Sequence, residues 1–143
     1  TFLDRAISTD YNDTGWSSSN LVSPLSRTDG TAIEQSSTSS GGFRYRTPSD
    51  TDNICIEFDF KIVSSSDIVC LLRNGTTNVK SIYGSNVSAE ENTWTHIKIT
   101  FRDGKYYLND STSGTSISTW NRFNLVSYNG NTIKYKNFVI YPI

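Results

Sequence analysis

Apolar and polar residues alternate along much of this chain, and the clearest alternation runs through residues 94–108. Apolar residues occupy alternate positions up to Phe101, and the Asp-Gly pair at 103–104 suits the two positive-φ positions of a type I′ turn. We therefore predict a β-hairpin here. Its register places Phe101 beside Tyr106 on one face and leaves Tyr107 on the opposite face.

Residues 54–62 predict a strand with one apolar face and one polar face. Strand side chains point alternately to opposite faces, so this pattern is typical of a strand with the core on one side only. Residues 67–73 are predicted to pair with this strand in a hairpin that turns at 64–66. The apolar face carries Ile54, Ile56, Phe58, Phe60 and Ile62, and the polar positions include Glu57, Asp59 and Lys61.

The two cysteines are predicted to be free thiols. In the hairpin just described, Cys70 lies opposite Phe60 rather than opposite Cys55, which is the wrong geometry for a disulfide. A bulge, or a connection other than a hairpin, would bring the two thiols together. A disulfide therefore stays open as the alternative.

Shorter apolar runs bounded by turn residues predict the remaining strands. No window carries a helical period over three turns. About ten short strands indicate a single all-β domain over residues 1–143, with an antiparallel two-sheet β-sandwich or a barrel as its architecture. The runs lie at 31–35, 43–46, 68–72, 79–83, 123–128 and 132–141, and the last two are predicted to form a hairpin about the Asn-Gly pair at 129–130.

Composition and charge limit the kinds of partner that this chain is expected to bind. The formal net charge is −1 and the 13 basic residues are scattered, so the chain lacks the basic stripe that nucleic-acid backbones require. No apolar run approaches the ~20 residues of a membrane-spanning helix. A surface rich in Ser, Thr and Asn is typical of secreted, cell-wall or virion proteins, and we expect an extracellular location. The first residue, Thr1, indicates a module of a larger protein.

Four segments together resemble the concanavalin A-like lectin and laminin G-like superfamily. They are FDFKI at 58–62, WTHIKITF at 94–101, YYLND at 106–110 and IKYKNFVIYPI at 133–143. The resemblance implies a two-sheet jelly roll in which Trp94 packs under a sheet and the last strand returns beside the N-terminal strand. Most members are carbohydrate-binding modules, lectins, adhesion domains or phage tail domains, and a minority are glycoside hydrolases or lyases.

Glu57 and Asp59 are the residues that could belong to the catalytic site of a glycosidase. Retaining glycosidases of this superfamily carry a further Glu, the acid/base, at the positions that Lys61 or Ile62 occupies here. Retaining chemistry needs two carboxyl groups ~5–5.5 Å apart, whereas alternate residues of a strand lie ~6.6–7 Å apart. A solvated polar face explains the two carboxylates. We therefore predict no catalytic residues.

His96 and two polar loops are the other candidates for chemistry. His96 is the single histidine and shares the polar parity of Lys98, which favours a surface or groove position over a general base. Residues 10–13 and 50–53 are rich in oxygen ligands and are candidates for a structural Ca²⁺, although turn chemistry also explains both loops. Whether the chain binds calcium stays open.

Aromatic side chains give the strongest functional prediction. The chain has seven Phe, eight Tyr and three Trp. Aromatic planes stack on the apolar faces of sugar rings, and planar Arg and Asn side chains bind sugar hydroxyls. Trp120 lies in a loop-like segment, where it is either exposed or packed. The candidate glycan-binding residues are Trp120, Tyr107, Tyr83, Arg44, Arg46 and His96.

These observations predict a non-catalytic carbohydrate-binding or adhesion module whose partner is a polysaccharide or another glycan. Two alternatives stay open. One is a structural or receptor-binding domain of a phage tail or a cell-surface adhesin, which would act as an oligomer. The other is a glycoside hydrolase or lyase, which the missing acid/base disfavours.

Overall fold

The computed structural model describes residues 16–17, 33–36, 41–46, 52–64, 68–127 and 132–143. A short 3-10 helix, Gly84–Val87, is the one helical element in these ranges. The described residues contain no helix that is long and apolar enough to cross a membrane. The strands are β1 (Trp16–Ser17), β2 (Ile33–Ser36), β3 (Gly41–Arg46), β4 (Ile54–Ser64), β5 (Ile68–Asn74), β6 (Thr77–Tyr83), β7 (Thr95–Arg102), β8 (Lys105–Leu108), β9 (Thr115–Ser116), β10 (Arg122–Ser127) and β11 (Thr132–Pro142).

The strands form two antiparallel sheets, which confirms the prediction of an all-β architecture with two sheets. The five-stranded sheet has the order β1-β3-β10-β5-β6, and the six-stranded sheet has the order β2-β11-β4-β7-β8-β9. Strand β11 lies between β2 and β4. The six-stranded sheet therefore joins early, central and late segments of the chain.

The core lies between the two sheets. Phe58 of the six-stranded sheet meets Phe123 of the five-stranded sheet edge to face, with ring centroids 6.0 Å apart. The hydroxyl of Tyr135 donates a buried hydrogen bond of 2.6 Å to the carbonyl of Val69, so a polar contact also joins the sheets. Burial of each such large apolar side chain stabilises the fold by about 1.5–3 kcal/mol.

The hairpin predicted at residues 94–108 is confirmed in its register and its turn. Phe101 lies opposite Tyr106, and Thr100 lies opposite Tyr107. Asp103 and its following glycine both have positive φ, at 55° and 68°, as a type I′ turn requires. The hairpin fixes which residues of β7 and β8 point away from the core.

Two other predicted hairpins are wrong. Strands β4 and β5 follow one another in the chain but lie in different sheets, and so do β10 and β11. Strand β5 pairs instead with β6 and β10. The apolar faces of consecutive strands must meet in one core, and a chain that crosses between the sheets achieves this as well as a hairpin does. A short polar connection therefore does not show which sheet the next strand joins.

The prediction of free thiols is confirmed, but for a different reason than the predicted hairpin gave. Cys55 and Cys70 are both free and buried. They lie in different sheets, on β4 and β5. Burial raises the pKa of the Cys70 thiol and so disfavours the reactive thiolate.

Candidate functional site

The polar face of the six-stranded sheet, which we call the outer face, carries Glu57, Asp59, His96 and Tyr107 from among the predicted candidates. Alternation along β4 and β7 puts apolar residues such as Phe58 and Ile99 into the core, and it turns their neighbours outward. The register of β8 and β11 adds residues to the same face. Its described members are Glu57, Asp59, Lys61, His96, Lys98, Thr100, Arg102, Tyr107, Lys134 and Lys136.

His96 joins two carboxylates at the centre of the outer face. Its Nδ1 lies 2.7 Å from a carboxylate oxygen of Asp59, and its Nε2 lies 2.8 Å from one of Glu57. Asp59 lies directly opposite His96 in the register of β4 and β7. The His96 side chain is 54% exposed, and the carboxylate side chains are 24% and 21% exposed. The structure thus confirms the predicted polar parity of His96.

The two carboxylates determine the charge of His96. Burial alone would lower the pKa of His96, but hydrogen bonds and charge attraction from Asp59 and Glu57 outweigh it and raise the pKa above its ordinary value. An imidazolium donates from both ring nitrogens, which suits two carboxylate acceptors. The cluster therefore favours a charged His96 between two acids.

A bulge in β11 adds a further partner to this cluster. The register of β4 and β11 shifts between Lys136 and Val139, and Asn137 within this bulge has a φ of 56°. Its side-chain amide donates to the second carboxylate oxygen of Asp59, at 2.9 Å. A β-bulge re-aims a side chain in this way. Both oxygens of Asp59 are therefore engaged by neighbouring side chains.

A groove of about 400 Å³ lies on the outer face beside this cluster. Strand β7 supplies one side of the groove and strand β8 with its following turn supplies the other. Hydroxyl, amide, carboxylate and cationic side chains face one space, which suits a ligand with many hydroxyl groups. The lining residues are Lys98, Thr100, Arg102, Tyr107, Asn109, Asp110, Ser111, Thr112 and Ile143.

Asn109 holds the turn that forms one wall of the groove. Its backbone N–H donates to the carbonyl of Lys98 at 2.8 Å, and its side-chain Oδ1 accepts from the backbone N–H of Lys98 at 3.0 Å. Its φ is 54°, a conformation that Asn tolerates better than most residues. The backbone N–H of Ser111 then donates to the carbonyl of Leu108. Strand β7 and the turn are thus tied together at the groove.

Tyr107 lies in the groove, as the hairpin register predicts, but its ring is partly covered. The guanidinium carbon of Arg102 lies 4.5 Å from the ring centroid, in a cation–π contact. Gly114 lies so close that a Cβ at that position would be 2.6 Å from Cζ of Tyr107. The groove therefore presents a guanidinium stacked on Tyr107 rather than a bare aromatic ring.

Trp120 is packed, which corrects its place among the sugar-contacting candidates. It is 2% exposed, and its ring centroid lies 4.7 Å from that of Phe101. It borders a smaller cleft of about 200 Å³ that also contains Lys105 and Ile117. The polar residues around Trp120 suggested a loop, but the loop folds its indole onto the core. With so little exposed area, Trp120 cannot offer a sugar a stacking face.

Trp94 lies on the outer face, so the expectation that it packs under a sheet is wrong. Its ring is half-buried, and the ammonium groups of Lys136 and Lys61 lie 4.2 Å and 5.2 Å from its centroid. Trp94 precedes His96 by two residues, so the alternation that turns His96 outward turns Trp94 outward as well. Parity was therefore the signal in the sequence that could have identified this residue.

The other candidates lie on the five-stranded sheet. Tyr83 ends the edge strand β6 and is 40% exposed. Arg44 and Arg46 belong to β3, and their side chains fall outside what the structure describes. The structure therefore brings together Tyr107 and His96 on one face and places Tyr83, Arg44 and Arg46 on the other sheet.

The described residues contain no group of three or more His, Cys, Asp or Glu side chains that could hold a metal ion. Residues 10–13, one of the two calcium candidates, lie outside the described ranges, and of 50–53 only Asp52 and Asn53 are described. Calcium binding stays a prediction. No protein-family model matches this chain, and no curated protein matches it.

Proposed function

We propose that this chain is a non-catalytic carbohydrate-binding module that holds a glycan in the groove of the outer face. The observation that carries the proposal is the groove itself, where β7 and the turn after β8 direct guanidinium, amide, carboxylate and hydroxyl groups into one space of about 400 Å³. A glycan presents hydroxyl groups in many directions and needs such a mixed set of donors and acceptors.

Arg102 is the central contact in the proposed complex. Its guanidinium is a planar fork of donors that binds two neighbouring sugar oxygens at once. The ring of Tyr107 lies beneath it and limits its movement, which reduces the entropy lost on binding. Asp110 and Thr112 of the facing wall accept or donate hydrogen bonds from the other side of the groove.

The carboxylates of the outer face favour binding over catalysis. A glycosidase needs one carboxyl group free to protonate the leaving oxygen and a second to attack or to activate water. Here Glu57 and Asp59 are both joined to His96, and Asp59 also accepts from Asn137. In our proposal these residues stabilise the sheet beside the groove.

The proposal includes the jelly-roll topology and the superfamily resemblance of the sequence. Strand β11 lies beside β2 and β4, which agrees with a last strand that returns beside an N-terminal one. The bulge at Asn137 lies near the centre of that strand, where the superfamily often carries an Asn next to an aromatic residue. We expect such a module to act at a cell, wall or virion surface.

Affinity electrophoresis in gels that contain cell-wall polysaccharides tests the proposal. We expect retardation of the wild-type chain by at least one polysaccharide and a loss of about tenfold in affinity for Arg102→Ala, since that change removes the charged hydrogen-bond donor. The matched control is Lys105→Ala, because Lys105 lies opposite Arg102 in the hairpin but borders the other cleft.

Two results would count against this function. A wild-type chain that passes unretarded through neutral and acidic polysaccharides would overturn glycan binding. Release of reducing sugar that disappears in Glu57→Gln would instead show a glycoside hydrolase. Both measurements need only the purified chain.

A further inference from the structure

We propose that Lys61, Trp94 and Lys136 form a subsite for the carboxylate or sulfate group of an acidic polysaccharide. We call these three residues the lysine–tryptophan cluster. The inference rests on the proposed function, because it names the class of glycan and gives it a second contact on the outer face.

Three separate segments of the chain build the lysine–tryptophan cluster. Lys61 lies on β4, Lys136 lies on the neighbouring strand β11, and Trp94 precedes β7 on the other side of β4. The indole therefore reaches across β4. The ammonium of Lys136 is 4.2 Å from the ring centroid and that of Lys61 is 5.2 Å from it. Both distances lie within the range of cation–π attraction.

The positive charges of this cluster have no acidic partner among the described side chains. Within the described ranges, neither Lys61 nor Lys136 forms an ion pair with a carboxylate. Asp59, which lies opposite Lys136 in the register, is joined instead to His96 and Asn137. On the same face, Lys134 lies directly opposite Lys61, and Glu34 lies opposite Lys134 in the register of β2 and β11.

The outer face as a whole shows the same imbalance. Basic side chains outnumber acidic ones among its described residues, although the complete chain has a net charge of −1. A ligand that brings negative charge would be attracted by this excess, whereas a neutral ligand would not. Among the side chains that are described, the basic ones are Lys61, Lys98, Arg102, Lys134 and Lys136, and the acidic ones are Glu57, Asp59 and, in the groove, Asp110. Glu34 of β2 lies opposite Lys134 in the register.

The chemistry of the cluster fits an anionic group on a sugar. Two ammonium groups beside one indole can donate charged hydrogen bonds to a single carboxylate or sulfate. The cation–π contacts restrain the lysine side chains before the ligand arrives, so less entropy is lost on binding. The indole edge offers apolar surface to the sugar ring that carries the anionic group.

The cluster and the groove lie along the same strand. Trp94 and Lys98 are four residues apart, about 13 Å in an extended strand, and Arg102 lies about 13 Å further on. His96 and its two carboxylate partners lie between Trp94 and Lys98. A polysaccharide that follows β7 would therefore contact the lysine–tryptophan cluster with one sugar and the groove with another, which favours a polymer over a monosaccharide.

A nucleic acid is the competing polyanion. Single-stranded nucleic acids stack successive bases on aromatic rings along a basic groove. Here one indole is already in contact with two ammonium groups, and the groove beyond it is lined by hydroxyl and amide groups and by Asp110. That composition favours sugar hydroxyls over a phosphate backbone.

Isothermal titration with matched polysaccharides tests the inference. Polygalacturonate is compared with its methyl-esterified form, and dextran sulfate with dextran, so that carboxylate and sulfate are tested on the same backbones. We expect one acidic polymer to bind about tenfold more tightly than its neutral counterpart at low salt, with a smaller difference at high salt. Lys61→Gln and Lys136→Gln should each reduce the acidic preference several-fold and leave neutral binding unchanged.

Lys80→Gln is the matched control. Lys80 lies on β6 of the five-stranded sheet, and its ammonium lies 6.0 Å from the ring of Tyr106, so it shares the residue type and the aromatic contact. It should leave both affinities unchanged. Thermal melting of each variant shows that it is folded before the titration is compared.

The titrations distinguish a failure of the acidic subsite from a failure of glycan binding itself. Neutral polymers that bind as well as acidic ones would overturn the acidic subsite and leave the proposed function in place. An acidic preference that survives both lysine substitutions would also overturn the subsite. A single-stranded oligonucleotide that binds more tightly than either acidic polymer would replace the glycan by a nucleic acid. The absence of binding to any polymer would overturn both proposals.

Discussion

The two faces of the six-stranded sheet are built from the same strands but differ in burial, polarity and charge. On the inner face, Phe58 and Ile99 are 0% exposed and pack against the opposite sheet. On the outer face, Glu57, His96 and Lys98 alternate with them along β4 and β7. Alternate residues of one strand therefore serve different roles, and a substitution of one residue can test a single face.

The side chains of the inner face pack against other side chains of the protein, whereas some charged groups of the outer face have no partner of opposite charge among the described residues. The aromatic rings of the core meet one another across the two sheets. The outer face instead keeps two ammonium groups on Trp94 without an acidic partner among the residues described. Unbalanced charge costs stability, and natural proteins tolerate such conflicts mainly at functional sites. The contrast supports our proposal that the outer face binds a ligand.

The largest expected effect tests the inner face. Phe58→Ala should lower the free energy of unfolding by about 3–5 kcal/mol, because it leaves a cavity where the two sheets meet. Lys61→Ala, three residues along the same strand but on the outer face, should change that free energy by no more than about 0.5 kcal/mol. Urea denaturation measures both. Equal losses for the two variants would remove the distinction between the faces.

Tyr135→Phe tests whether the inner face also depends on a polar contact. The change removes the hydroxyl that donates to the carbonyl of Val69, and we expect a loss of about 1–3 kcal/mol because a buried acceptor loses its partner. Urea denaturation again gives the value. Tyr83→Phe makes the same change at a residue that is 40% exposed and should have a much smaller effect. A Tyr135→Phe chain as stable as the wild type would show that packing alone joins the sheets.

Gly114→Ala tests the outer face without altering the core. A Cβ at this position would lie 2.6 Å from Cζ of Tyr107, so the ring and the Arg102 stacked on it must shift. We expect glycan binding to weaken about tenfold, or about 1.4 kcal/mol, with a melting temperature close to that of the wild type. Ser113→Ala is the neighbouring control. Unchanged binding by Gly114→Ala would mean that the position of Tyr107 does not matter to the ligand.

The smallest expected effect concerns pH and the His96 cluster. Because the pKa of His96 is raised in the folded state, its contribution to stability is complete below the unfolded pKa of about 6.5 and is lost as pH rises through the folded pKa. The wild type should therefore exceed His96→Gln in stability at pH 5.5, and less so at pH 8.5. The difference should stay below about 1 kcal/mol, because the side chain is 54% exposed. Urea denaturation at both pH values measures it, and a difference that grows with pH would contradict the charged cluster.

Local periodicity predicts the two faces well. The alternation in residues 54–62 and the Asp-Gly turn at 103–104 yield the correct faces and the correct register of β7 and β8. The same parity places the His96 side chain on the outer face. Two residues earlier, it would have placed the Trp94 side chain on that face as well. Trp120 has no such periodic context, because residues 117–121 form no strand, and its burial depends on contact with Phe101.

Contacts between distant segments are the part that the sequence does not reveal. Short polar connections look alike whether the chain turns back within one sheet or crosses to the other, which explains the two incorrect hairpins. The lysine–tryptophan cluster brings together residues 61, 94 and 136, and their meeting depends on the order β11-β4-β7. Scattered basic residues thus become a patch only after the strands are ordered in space.

The position of β11 between β2 and β4 has a consequence for how the chain reaches this structure. Residues 54–64 have no partner on one side until residues 132–142 arrive, so a newly synthesised chain carries an open strand edge while the segments between them are made. Such long-range pairing closes slowly, typically in milliseconds to seconds for β-rich domains. During that interval the unpaired edge of β4 is open to pairing with another chain.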